Sequence, residues 1–172
     1  MPIEEALYLK KKILPKHLLT EEMRRFLERK EFIDVGTCDS SGRPNVAPKF
    51  LIKVEDDNIY LADYVFGRTF VNLKKNSRAS LSTINLDTLI GYQINGIAKI
   101  IVSGQEFKKL IKEMQAKQVK FSASRLIEGL RKETRFKDFE VTFPEKACIF
   151  KIKIEEVARI GKSGKVQRKK HK

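Results

Sequence analysis

Gly67-Arg68-Thr69 opens a short helical stripe in which Phe66, Phe70 and Leu73 recur at i, i+4 and i+7. The first N–H groups of a helix have no internal partner and carry the positive end of its dipole. A guanidinium and a hydroxyl beside them make a compact anion site suited to phosphate. The same two residues also suit a plainer role, with Thr69 in the cap region and Arg68 a solvated charge. Lys49 stands in a run of strand-forming residues, either solvated or pointing at an anion. Little else in the chain offers reactive chemistry. His17 and His171 are the only histidines, both in terminal segments, which excludes a His-rich metal site and argues against a Ser-His or Cys-His pair. Cys38 and Cys148 stand 110 positions apart with no CxxC spacing and read as free thiols rather than a disulfide.

The elements that must hold these residues follow from pattern. Residues 2–14 read as a short amphipathic helix that Pro15 interrupts. Thr20 suits an N-cap, with Glu21 and Glu22 in the first turn and Met23, Phe26 and Leu27 on one face. Residues 32–38 (FIDVGTC) read as a strand, DSSGRP as a turn, and residues 45–54 as a longer strand of period two. In that strand Val46, Pro48, Phe50, Ile52 and Val54 share one face, and Ala47, Lys49, Leu51 and Lys53 the other. Pro48 cannot donate to a ladder, so the strand is an edge or is bulged there. Strands follow over 59–63 and 78–83. Residues 89–103 form a further strand in which Gly96 signals a bulge or barrel corner. A helix begins at Gly104 with Phe107, Leu110, Ile111 and Met114 in register, a second short helix is expected around Leu126–Leu130, and residues 133–144 carry no clear pattern. The last strand, 147–154, turns Cys148, Phe150, Ile152 and Ile154 inward. About six strands, mostly in hairpins, with helices around them suggest a small closed barrel.

The 172 residues, 41% hydrophobic, suffice for one domain with a real core. No apolar run approaches the ~18 residues that span a bilayer, and the acid-bearing N-terminus lacks a signal-peptide segment, so the expected location is the cytoplasm. Net charge is +14, and six of those charges fall in the final twelve residues, which contain no acid. That composition divides the chain into a single domain over 1–160 and a disordered basic tail over 161–172. The tail could touch nucleic acid weakly through charge, or simply solubilise the protein.

The order of these pieces resembles the FMN-binding split-barrel family typified by pyridoxamine 5′-phosphate oxidase. The resemblance is carried by LTEEMRRFLERKEFIDVGTCDSSGRPNVAPKFLIKVEDDNIYLADYVFGRTFVNLKKNSRASLSTI, by GYQINGIAKII and by ACIFKIKIEEVARI, and covers residues 18–160. It implies a six-stranded antiparallel split β-barrel that forms a homodimer, with FMN at the subunit interface. By the same resemblance, Ala47, Pro48, Lys49 and Phe50 run along the flavin ring, Ala62 and Asp63 lie beside the ribityl chain, and Arg68 and Thr69 hold the phosphate. The family often places a glutamine on the late strand. Gly91 occupies the aligned position here, and Gln93 lies two residues on, on the same face. The family's oxidases also end in a substrate motif bearing Arg and Trp. This chain has no Trp, so pyridoxamine phosphate is not the expected substrate. Residues 115–146 are longer than the simplest members need.

The implied function is a flavin-dependent oxidoreductase working between a small-molecule substrate or electron donor and an acceptor. Lys49 would stabilise the reduced flavin, and no side chain is required as a general base. The competing expectation is a non-catalytic carrier of FMN, or of haem or a deazaflavin, on the same scaffold. A basic barrel that tracks nucleic-acid phosphates is a third reading.

Overall fold

Thr20 accepts a hydrogen bond from the Met23 amide at 3.2 Å and starts helix α1 (Glu21–Glu28) in the computed structural model, which describes residues 17–131 and 146–170. The helix expected over 2–14 and the unpatterned segment 133–144 lie outside those residues. Then come β1 (Phe32–Cys38), β2 (Pro44–Glu55), β3 (Asn58–Asp63), α2 (Arg68–Lys75), β4 (Arg78–Asn85), β5 (Ile90–Ile101), α3 (Gly104–Arg131), β6 (Cys148–Ile160) and β7 (Val166–Lys170). Every pairing is antiparallel, in the order β3-β2-β1-β4-β5-β6-β7. A further ladder between β3 and β6, from Asn58↔Lys153 to Asp63↔Cys148, closes the first six strands into a barrel.

Turn chemistry sets the first hairpin. The Asp39 carboxylate accepts from the Ser41 and Arg43 amides at 2.9 and 3.0 Å, and Gly42 supplies a φ of 82° that a side chain would resist. Pro48 sits where β2 has lost one neighbour, because β3 pairs with β2 only from Phe50 onward. The strand is therefore an edge at the proline, as its missing donor demands.

Two apolar clusters lie on either side of the barrel wall. The interior holds Ile33, Val35, Leu51, Val54, Leu61, Leu81, Ile94, Phe150 and Ile152, with Met23 and Leu27 of α1 packed against them. The second cluster joins Phe50, Ile52, Tyr60, Ala62 and Ile149 to Leu110 and Met114 of α3. Val54 does not share a face with Phe50 and Ile52 as the period of two predicts. A bulge between Leu51 and Lys53 shifts the register, and the extra residue puts both Leu51 and Val54 inside.

Two further expectations change. Helix α3 runs unbroken for 28 residues instead of restarting near Leu126, since no Gly or Pro occurs between Gln105 and Glu128. Its polar second half is tied to other elements by Lys117, which donates to the Leu51 carbonyl at 2.6 Å, and by an Arg125–Glu31 ion pair. The basic tail is not disordered over Val166–Lys170. Gly164, at φ 75°, turns the chain back. Glu156 on β6 then pairs with Arg168 at 2.6 Å and Lys170 at 2.7 Å. Like-charge composition alone could not reveal an acid waiting on the neighbouring strand. Among the described residues no helix is long and apolar enough to cross a membrane.

Candidate functional site

Helix α2 begins without a cap. Gly67 occupies the N-cap position in extended backbone, makes no side-chain cap bond, and no acid follows in the first turn. The leading amides are thus left to whatever anion approaches. Arg68 is exposed, and its guanidinium makes no ion pair or side-chain hydrogen bond among the described residues. Thr69 is only 2% exposed, and its hydroxyl accepts from Asn45 Nδ2 at 3.2 Å. The arrangement suits a phosphate in three ways: open amides, an uncommitted guanidinium, and a hydroxyl fixed by its neighbour.

Behind the helix start, the barrel interior turns polar. Asn45 Nδ2 also lies 3.4 Å from Thr37 Oγ1, and Asn72 Nδ2 donates to the same oxygen at 3.1 Å. These residues join β1, β2 and α2 into one hydrogen-bonded plug, with a groove of about 380 Å³ beside it lined by Thr37, Asn45, Val46, Ser80 and Asn95. Thr37, Asn45 and Asn72 were not anticipated from sequence. The signal that could have found them was available: Asn45 and Thr37 face each other across the hairpin, and Asn72 lies one turn beyond Thr69.

Deeper in, Lys49 Nζ lies 2.8 Å from Asp63 Oδ2, with side chains only 7% and 6% exposed. The pair faces inward, since Lys49 lies opposite Ile33 and Asp63 opposite Cys148. The ammonium approaches Oδ2 off the hydrogen-bonding direction, so that oxygen is matched in charge but accepts no directed bond. The other oxygen, Oδ1, accepts from the Val65 amide at 3.3 Å and steadies the chain on its way to α2. Lys49 is therefore neither a solvated charge nor a free cation.

The remaining expected residues are distributed unevenly. Ala47 is half-buried opposite Val35, and Pro48 is exposed opposite Asp34. Phe50 and Ala62 are paired across the ladder, each 1% exposed, and both side chains are committed to packing with α3. Only their backbone is left for a ligand. Gln93 lies on β5 between Ser82 and Ala158, with Nε2 3.5 Å from Ser80 Oγ. It alternates with the inward Tyr92 and Ile94, so it points outward. Within one chain Lys49, Asp63 and Thr69 face inward at the α2 end, and Gln93 stays apart from them.

The Cys148 thiol is fully buried, and its pKa is pushed up to about 12, first by burial and then by the Asp63 carboxylate, with Lys49 pulling weakly the other way. Cys38 is half-buried, with Asn76 Nδ2 donating to its sulfur at 3.3 Å. We expect a thiol reagent at neutral pH to titrate Cys38 in the native protein, and Cys148 only after denaturant is added. Rapid modification of both native thiols would contradict the burial of Cys148.

The sequence matches the family model for pyridoxamine 5′-phosphate oxidase over residues 19–159. No curated protein matches it. Among solved structures, HupZ of Group A Streptococcus is 21% identical, with a TM-score of 0.60 over 84% of this chain and 95% of that one. A pyridoxamine 5′-phosphate oxidase-related, FMN-binding protein of Nostoc punctiforme PCC 73102 is 12% identical, with a TM-score of 0.51 over 99% and 95%. HutZ, a haem storage protein of Vibrio cholerae, is 17% identical, with a TM-score of 0.55 over 81% and 91%. At such identities these structures are alike in fold.

Proposed function

Because the chain belongs to the pyridoxamine 5′-phosphate oxidase family, we propose that it is a flavoprotein that binds FMN and acts as an oxidoreductase on a small molecule. The observation that carries this reading is the uncapped start of α2, with open amides, an Arg68 that has no ion pair among the described residues, and a buried Thr69 hydroxyl. Arg68 and the amides would neutralise the phosphate. Asn45 would keep the Thr69 hydroxyl turned toward it. The strand from Ala47 to Phe50 would offer backbone to the ring, and Ala62-Asp63 would border the ribityl chain. When bound, FMN supplies the hydride and electron chemistry. The residues of this chain bind and orient it and hold water away.

Dimerisation belongs to the same proposal. Phe32, Val46 and Ile84 leave the outer face of β1, β2 and β4 exposed, at 49%, 69% and 46%. A second copy packed there would cover apolar surface that is costly to leave in water. Gln93, on the outer face of the neighbouring β5, would reach a flavin across that interface.

One observation favours the second reading, a non-catalytic binder of FMN, haem or a deazaflavin. Lys49 is already neutralised by Asp63, so the pair brings no net positive charge to favour the reduced flavin. The visible spectrum of the purified protein tests the cofactor, and NADH or NADPH oxidation by the loaded protein separates enzyme from carrier. For the site itself, Arg68→Ala with Thr69→Ala is expected to weaken FMN binding by about 1.5–3 kcal/mol per charge-assisted bond lost, as read by flavin fluorescence titration. Unchanged affinity would place the phosphate elsewhere.

A further inference from the structure

A second cleft, of about 720 Å³, lies between α1 and α3 and is bordered by five cationic side chains: Arg25, Arg29, Lys53, Lys117 and Lys120. Its single carboxylate is Glu28, and Ile52, Ala116 and Phe121 give it an apolar floor. Some of this charge is spent within the chain. Arg25 pairs with Glu21 at 3.0 Å, and Lys53 with Glu55 and Glu113 at 3.3 and 3.2 Å. The rest is not: Arg29, Lys117 and Lys120 make no ion pair among the described residues.

Lys117 is the informative member. It is half-buried and is held in place by the Leu51 carbonyl at the β2 bulge, 2.6 Å away. Its ammonium lies 6.0 Å from the centre of the Phe50 ring and 5.6 Å from that of Phe121. A cation fixed by a carbonyl, flanked by rings and making no ion pair with a carboxylate among the described residues presents its charge to the cleft at little further ordering cost. Phe121 adds a flat apolar surface beside it.

We propose that the cleft between α1 and α3 is a second ligand site, separate from the α2 site, for an aromatic anion: a flat ring system carrying one acidic group. Lys117, Lys120 and Arg29 take the acidic group, and Phe121 and Ile52 take the rings. The volume suits a molecule of roughly nucleotide size.

The probe for the test is 8-anilinonaphthalene-1-sulfonate, with N-phenyl-1-naphthylamine as its counterpart lacking the sulfonate. Fluorescence titration of the full chain is expected to show one saturable site, at least tenfold tighter for the sulfonate. Arg29→Glu with Lys120→Glu, both exposed side chains, should weaken the sulfonate tenfold or more and leave the neutral probe and the melting temperature unchanged. The Arg68→Ala, Thr69→Ala variant should bind the sulfonate as the parent does, so failure of the FMN reading leaves this result intact. Equal affinity for the two probes, or a sulfonate affinity indifferent to the charge reversals, would overturn the proposal. Loss of FMN binding in the Arg29→Glu, Lys120→Glu variant would also overturn it, by placing the flavin in this cleft.

Discussion

Replacing Lys49 with methionine is expected to destabilise the fold by about 3–5 kcal/mol, the usual cost of leaving one member of a buried ion pair uncompensated. The Asp63 carboxylate would then sit inside the barrel, 5% exposed as a residue, with the Val65 amide on Oδ1 as its remaining hydrogen-bond partner among the described residues. The penalty comes from the stranded charge and not from the lost attraction. Adding Asp63→Asn removes the charge and keeps an acceptor for Val65, so the double variant should recover most of the loss. Urea midpoints of parent, single and double variants provide the check. If the double variant is as unstable as Lys49→Met, the pair contributes through packing, and the electrostatic account fails.

Gly96→Ala is expected to cost about 3 kcal/mol, at the upper end for overpacking. A Cβ built at Gly96 would lie 2.3 Å from the Lys153 carbonyl oxygen and 2.9 Å from Ile152 Cγ2. The first contact is with backbone, so relief requires β5 and β6 to separate at the bulge between Asn95 and Gly96. Strand β6 also carries the ladder to β3 that closes the barrel, so the strain is not confined to one pair of strands. Gly91→Ala is the control on the same strand. Its Cβ would meet Ile160 at 3.7 Å, an ordinary contact. Similar denaturation midpoints for the two variants would show that β6 yields easily at Gly96.

The difference between what was legible in sequence and what was not follows the range of the interactions. Thr20, the β1 limits, the turn at Asp39–Pro44 and the bulge at Gly96 were readable because each is set by a residue's own backbone preference or by its neighbours. The phase of β2 beyond Leu51 was not. A bulge adds one residue without leaving a Gly or Pro signal, and everything after it changes face. The pairing of Val166–Lys170 was missed for a related reason, since its acidic partner belongs to another strand. The same limit applied to the site. Arg68 and Thr69 could be singled out from their place at a helix start. Lys49 looked like a charge available to a ligand because Asp63, fourteen positions away, becomes its neighbour only once β2 and β3 have paired. Asn45, Thr37 and Asn72 are common surface residues by type, and only barrel closure gathers them.

Strand β7 has a consequence for the protein's behaviour in concentrated solution. The β3 ladder on β6 ends at Lys153, and β7 takes up pairing from Glu156. The backbone groups of β6 that would otherwise invite another chain are therefore occupied. Among the described residues no strand pairs with the other edge of β7, which carries Arg168, Lys169 and Lys170, all exposed, against the single carboxylate of Glu156. Two such edges brought together would juxtapose cations along their length. The cluster at the end of the chain thus acts as a guard against edge-to-edge stacking of barrels, a guard that high salt would weaken.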